Sequence, residues 1–129
     1  MPYKIALEDG VLRIALTDHL TASEFHALAD EAPRYERGVP RVPHRITDMR
    51  GITRLGIHYP EVQDFAWKRR ALSFPNSFKS AIIATDSAHL GYARMFQMLN
   101  DNPQIAIRIF PDEPSANDWI NCPESSHKR

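Results

Sequence analysis

The run Phe78-Lys79-Ser80-Ala81-Ile82-Ile83-Ala84-Thr85 decides the fold of this 129-residue chain. It is largely apolar and lacks the alternation of a half-exposed strand, which is typical of a central strand covered on both faces. Asp86 or Ser87 follows as the N-cap of a helix. One predicted face of that helix is apolar and consists of Ala88, Tyr92, Met95, Phe96 and Leu99. A buried strand leading directly into a helix indicates an α/β domain.

The N-terminal third predicts a hairpin, a helix and a strand. Asp9-Gly10 separates two alternating runs and supplies the positive φ angles of a type I′ turn. Thr21 and Glu24 have the spacing of a capping box, at the start of a helix that Pro33 ends. A proline-rich loop then leads into a short strand predicted over residues 45–49.

The remaining elements complete an alternating order. A second helix is predicted from Pro60 through Leu72, a last strand has Ile105, Ile107 and Ile109, and a last helix opens at Glu113-Pro114. The order β-β-α-β-α-β-α-β-α predicts a mixed, mostly parallel sheet with the N-terminal antiparallel hairpin at one side and helices packed against it. We expect one domain over residues 1–121 and a polar, disordered tail over residues 122–129.

Composition excludes several classes of protein. With 43% hydrophobic and 25% charged residues, the chain has the make-up of a globular protein. Cys122 is the single cysteine, which excludes an intrachain disulfide and a cysteine zinc cage. No apolar run reaches the length of a transmembrane segment and the N-terminus lacks a signal region, so we expect a cytoplasmic protein. The scattered histidines predict no metal site, and no cofactor motif is present.

Charge is zero overall but uneven along the chain. Residues 1–33 carry two cations and six anions, whereas residues 34–70 carry nine cations and four anions. The zero balance argues against a globally basic nucleic-acid binder, so no nucleic-acid partner is expected. The basic middle allows two interpretations, an anion-binding surface or solvated arginines that pair with the acidic N-terminal segment.

The element order and several segments resemble the STAS domain, and in particular the SpoIIAA-like family of small uncharacterised bacterial proteins. The resemblance covers most of residues 3–121 and implies the STAS-like fold. The segments that carry it are Asp48-Met49-Arg50-Gly51-Ile52, Ala81-Ile82-Ile83-Ala84, Leu90-Gly91-Tyr92-Ala93-Arg94-Met95-Phe96, Arg108-Ile109-Phe110 and Ala116-Asn117-Asp118-Trp119-Ile120.

The resemblance also bears on regulation. STAS domains that antagonise anti-sigma factors carry an Asp-Ser-Ser-Gly-Leu-type loop, whose second serine is phosphorylated by the partner kinase. When Asp48 and Gly51 are aligned with that loop, Arg50 occupies the position of the phosphorylated serine. The resemblance therefore implies the STAS-like fold without the serine that is phosphorylated in those regulators. Thr47 and Thr53 carry the nearest hydroxyl groups and remain candidates for phosphorylation in place of the missing serine.

A candidate binding site follows from the topology, because ligands of open α/β sheets bind beyond the carboxyl ends of the strands. The predicted loops over residues 48–54, 86–89 and 111–114 meet there, and helix N-termini favour an anion. On the third helix Leu90 is expected to point outward, beside Arg94. The predicted ligand- or partner-binding residues are Asp48, Arg50, Thr53, Arg54, Asp86, Ser87, His89, Leu90 and Arg94.

Three functions are compatible with these features. The first is a non-enzymatic regulatory or protein-interaction module, which binds a protein partner or a second copy through the second and third helices and the loop over residues 48–54. The second is a carrier or sensor of a small anionic or acyl (lipid) ligand, bound at the carboxyl ends of the strands. The basic and aromatic stretch of the second helix is a separate candidate, for contact with an acidic membrane surface or for an acyl ligand under the helix. The third is a small hydrolase using Ser87 with His89 or His44 with Asp48, although no catalytic motif is present and no catalytic residue is predicted.

Overall fold

The computed structural model describes residues 3–122. The strands are β1 (Tyr3–Glu8), β2 (Val11–Thr21), β3 (His44–Gly56), β4 (Phe78–Ile83) and β5 (Ile105–Phe110). The helices are α1 (Ala22–Glu31), α2 (Tyr59–Arg70), α3 (Ser87–Leu99) and α4 (Glu113–Asn121), with a 3₁₀ turn (Ala32–Tyr35) after α1. Residues 123–129 of the predicted tail lie outside the described residues, and Cys122 is half-buried.

The five strands form one sheet in the order β1-β2-β3-β4-β5. β1 is antiparallel to β2, and every other neighbouring pair is parallel. This confirms the predicted mixed α/β sheet with its hairpin at one edge. The hairpin turn has φ angles of 53° at Asp9 and 77° at Gly10, as a type I′ turn requires. β4 is buried along its whole length as predicted, although the middle strand of the sheet is β3.

β3 is much longer than predicted, and the expected loop over residues 48–54 is wrong. This segment is a strand because β2 is equally extended and pairs with it as far as Gly56, through two irregularities in register. Gly51 and Gly56 are strand glycines at close backbone approaches. A Cβ atom on Gly51 would lie 2.9 Å from the Leu16 carbonyl oxygen, and one on Gly56 would lie 2.9 Å from His19 Nε2.

The two faces of the sheet carry separate cores. Successive residues of a strand point to opposite faces, so Phe78 and Ile82 join one core while Ala81 and Ile83 join the other. Helices α1 and α3 contribute to the larger core. Helix α4 covers the smaller core, which contains Ile46, Ala81, Ile83, Ala116, Trp119 and Ile120.

The helix ends follow the predicted caps, whereas two details of the helices differ. Thr21 and Glu24 form the capping box of α1, and Asp86 caps α3 by accepting from the Ala88 amide at 2.9 Å. Helix α2 ends at Arg70, so Leu72 lies beyond it and is exposed. The predicted apolar face of α3 is also displaced. Its buried positions are His89 and Ala93, while Ala88 is exposed, because α3 packs against both α2 and the edge strand β5.

Candidate functional site

A cavity of about 110 Å³ lies between the sheet and helices α1, α2 and α3. Its wall is apolar except for three side chains, those of Arg45, Thr47 and Tyr92. The Tyr92 hydroxyl donates to the Ile57 carbonyl oxygen at 3.0 Å. The apolar wall consists of Ile14, Leu16, Leu20, Phe25, Leu28, Ala32, Met49, Leu55, Ile57, Val62, Phe65, Ile82, Ala93 and Phe96.

Strand and helix periodicity places these side chains around one space. Arg45, Thr47 and Met49 are alternate residues of β3, so they share the face that the three helices cover. The Phe65 ring of α2 connects the neighbouring helices. It meets Phe25 of α1 edge-on at 5.6 Å between centroids and stacks on Phe96 of α3 at 5.5 Å.

A buried cluster of three charges adjoins this cavity. Arg45 Nη2 lies 2.6 Å from Glu36 Oε2, and Arg69 donates to the same carboxylate at 2.6 Å and 2.9 Å. The three side chains are 8%, 4% and 4% exposed, in the order Arg45, Glu36 and Arg69. Two guanidinium groups thus share one carboxylate, which leaves the cluster with one excess positive charge.

The cluster is also incompletely hydrogen-bonded. Within the described part of the chain, the buried Nε atoms of Arg45 and Arg69 have no hydrogen-bond partner. Burial, followed by repulsion from Arg69, lowers the pKa of Arg45 to about 10, so the group stays charged at neutral pH. Arg45 belongs both to this cluster and to the cavity wall, and the cavity is the candidate ligand site.

The structure does not bring the predicted site residues together in one site. Asp48 lies within β3 and accepts hydrogen bonds from the Arg50 side chain at 3.0 Å and 2.9 Å. These bonds hold the pKa of the Asp48 carboxyl below its usual value. Asp48 lines a groove of about 240 Å³ on the α4 face of the sheet, together with Arg13 and Glu113. Arg50 is therefore paired rather than held ready for an anion.

The other residues predicted to lie at the carboxyl ends of the strands occupy several separate positions. Thr53 and Arg54 are exposed on the extended part of β3, and Ser87 is exposed at the start of α3. Asp86 is the N-cap of α3, one of the two residues predicted for that position. His89 is only 7% exposed, and its Nδ1 atom has no hydrogen-bond partner among the described residues.

Leu90 and Arg94 lie in a separate cleft of about 600 Å³ between α3 and β5. The outward position expected for Leu90 is wrong, because its half-buried side chain packs against the larger core. Arg108 lines the same cleft, with its guanidinium 5.4 Å from the Phe110 ring. The structure thus brings Leu90 and Arg94 together but does not join them to Asp48 and Arg50.

The basic middle segment pairs chiefly with itself. Besides the buried cluster, Arg50 pairs with Asp48 and Lys68 with Asp64, all within residues 34–70. The predicted pairing of these cations with the acidic N-terminal segment is therefore wrong for the pairs that are formed. The remaining cations of this segment are exposed, namely Arg34, Arg37, Arg41, Arg54 and Arg70.

Neither of the two residue pairs considered for a hydrolase forms a hydrogen-bonded dyad. His44 and Asp48 are four residues apart along one strand, a separation of roughly 13 Å between their Cα atoms at ~3.3 Å per residue. His44 Nδ1 instead accepts the Lys79 amide at 2.9 Å. Ser87 is exposed while His89 is buried.

Two further features concern metals and membranes. Residues 3–122 contain no group of three or more His, Cys, Asp or Glu side chains placed to hold a metal ion. None of the helices in this part of the chain is long and apolar enough to span a membrane.

Comparison with known proteins gives a structural relative. No family model matches the sequence. No curated protein matches it significantly either. A crystal structure from Shewanella loihica PV-4, an uncharacterised protein of the DUF3478 family with a SpoIIAA-like fold, superimposes with a TM-score of 0.61 at 15% identity. The match covers 92% of this chain and 91% of that one. Identity this low establishes the fold alone, and the predicted fold is confirmed: the chain is an α/β domain with a SpoIIAA-like fold.

Proposed function

We propose that this protein is a carrier or sensor that binds a small ligand with an apolar body in the cavity beneath α1, α2 and α3 and does not transform it. The observation that carries this proposal is the cavity itself, whose wall is apolar except for Arg45, Thr47 and Tyr92. Pockets of this kind, apolar with few polar groups that fix orientation, are typical of small-molecule sites.

The apolar wall favours a ligand by burial. A ligand portion that occupies about 110 Å³ leaves water and gains van der Waals contacts with the surrounding side chains. Since an engineered apolar cavity of roughly 150 Å³ takes up benzene, we expect a ligand portion of about six non-hydrogen atoms.

Cavity filling tests the proposal. Ala93 lies in the wall and is 3% exposed, so Ala93→Leu places extra side-chain atoms inside the cavity. Ala88 lies on the same helix but is exposed, which makes Ala88→Leu the matched control. The probe is 1-pentanol, and the readout is the melting temperature.

We expect 1-pentanol to raise the melting temperature of the wild type and of Ala88→Leu but not that of Ala93→Leu. A ligand present at 100 times its Kd stabilises by about 2.7 kcal/mol. Equal responses of all three proteins would place binding outside the cavity, and no response of the wild type would contradict the proposal. Native mass spectrometry of gently purified protein then identifies a natural ligand, as extra mass per chain that denaturation removes.

A second candidate function, interaction with another copy of the chain through α2 and α3, has its own observation. Large apolar side chains are exposed on these helices, to 59% for Tyr59, 49% for Trp67 and 73% for Met98. Sedimentation equilibrium tests it, with Trp67→Lys as the variant and Leu7→Lys, on strand β1, as the control. A dimer that only Trp67→Lys dissociates supports this function, and a wild-type monomer at every concentration contradicts it.

A further inference from the structure

We infer that the ligand of the cavity carries a single carboxylate, which binds Arg45 in the cavity wall. The inference rests on the proposed function, because it names the chemical class of the ligand for that same cavity. Its basis is the charge and the hydrogen bonding of the cluster formed by Glu36, Arg45 and Arg69.

The cluster carries more positive than negative charge. Among the described residues, Glu36 is the single carboxylate hydrogen-bonded to both buried guanidinium groups, so one positive charge is left over. A buried charge without a counterion is costly to a fold. A ligand with one negative charge balances the cluster.

Arg45 is the cluster residue that a ligand in the cavity would contact. Arg45 belongs to both the cluster and the cavity wall, and its Nε atom is buried without a partner in the described structure. A guanidinium presents its N–H groups in one plane, the geometry that suits the two oxygens of a carboxylate. Thr47 adds a hydroxyl to the wall two residues along the same face of β3.

Other ligand chemistries fit less well. A neutral alcohol supplies no charge to the cluster. An alkylammonium adds a second uncompensated positive charge. A phosphate monoester carries roughly 1.5 to 2 negative charges at neutral pH, which exceeds what the cluster can balance. The expected order of affinity at equal chain length is therefore carboxylate, then alcohol, then ammonium.

Isothermal titration calorimetry at neutral pH tests this order with pentanoate, 1-pentanol and pentylamine. We expect the wild type to bind pentanoate at least about tenfold more tightly than 1-pentanol, the factor expected for a hydrogen bond to a charged group. Arg45→Met removes this preference, so the affinities of the variant for pentanoate and for 1-pentanol agree within about twofold. Arg94→Met makes the same charge change outside the cavity and keeps the preference.

The outcomes separate this inference from the proposed function. If 1-pentanol binds in the cavity as tightly as pentanoate, the inference is overturned and the proposed function stands. If neither ligand binds, both fail. A nitrogen NMR measurement of the Arg45 Nε–H group in the wild type keeps the test valid even if Arg45→Met does not fold. Pentanoate should shift this signal far more than 1-pentanol does, and equal shifts would contradict the inference.

Discussion

Buried cations lie on both faces of the sheet, and their hydrogen-bond partners differ. On the α4 face, Lys79 Nζ donates to the carbonyl oxygens of Trp119 at 2.8 Å and Cys122 at 2.6 Å, and lies 5.5 Å from the Trp119 ring. Both carbonyls are at the C-terminal end of α4, where the helix dipole favours a positive charge. On the opposite face, Arg45 shares Glu36 with Arg69.

The difference separates a structural charge from a candidate binding charge. Lys79 lines a groove of about 330 Å³ but finds its acceptors within the chain, so its role is to hold α4 against the sheet. Arg45 has an Nε atom without a hydrogen-bond partner among residues 3–122, and it adjoins a cavity of about 110 Å³. A buried cation with unmet hydrogen bonds in the wall of a cavity is where a ligand group is expected.

The largest effect is expected from Glu36→Gln, which leaves Arg45 and Arg69 buried without their counterion. We expect a loss of about 3–5 kcal/mol in the free energy of unfolding, measured by urea denaturation at neutral pH. A loss below about 1 kcal/mol would show that the two arginines reach water or another anion, and would contradict the excess positive charge assigned to the cluster.

Lys79→Met is expected to have the next largest effect. It leaves the carbonyl oxygens of Trp119 and Cys122 without this donor, at a cost of about 1–3 kcal/mol. Because Lys79 anchors α4, amide hydrogen exchange should accelerate in α4 more than in α1. Unchanged stability and exchange would remove the contrast between the two faces.

Arg45→Met should change the free energy of unfolding by less than about 1 kcal/mol, or increase it. The variant retains the bidentate pair of Arg69 with Glu36, which is electrically balanced, and it relieves repulsion between two buried cations. Urea denaturation without ligand measures the change. A loss as large as that of Glu36→Gln would mean that Arg45 has a structural role like that of Lys79.

Asp48→Asn should have the smallest effect, about 0.5 kcal/mol or less, because the Asp48–Arg50 pair is partly exposed. The pKa of Asp48 is lowered by its hydrogen bonds with Arg50, so the pair stabilises the fold above the ordinary carboxyl pKa of about 4. This contribution is lost as pH falls through the lowered pKa. Unfolding of wild type and variant at neutral pH and near pH 2.5 should show a small difference that disappears in acid. A difference that grows in acid would contradict the assignment.

Local patterns in the sequence were sufficient to predict the elements and their order. The Asp9-Gly10 turn, the Thr21–Glu24 capping box and the buried run of β4 each depend on neighbours a few residues away. The length of β3 was not predictable in this way. Its second half is a strand because β2, about 35 residues earlier, extends alongside it, and its two glycines have the local appearance of turn residues.

The candidate site was missed for the same reason. The excess charge arises where Glu36, Arg45 and Arg69 come together from a loop, a strand and a helix, and no spacing in the sequence links them. One signal was present. Arg45 alternates with Thr47 and Met49 in a predicted strand, so a cation at an inward-facing position could have been noticed. The cavity itself depends on how three helices pack, which a single sequence does not specify.

The most direct test of the central claim is NMR of the protein labelled with ¹³C at its methionine methyl groups during addition of pentanoate or 1-pentanol. Met49 lines the cavity and is 8% exposed, whereas Met98 is 73% exposed on α3 and serves as an internal control. Met49→Leu assigns the signal. We predict that the Met49 signal shifts and saturates while the Met98 signal stays in place. A Met49 signal that stays in place while Met98 shifts would show binding at the surface and contradict the cavity as the ligand site.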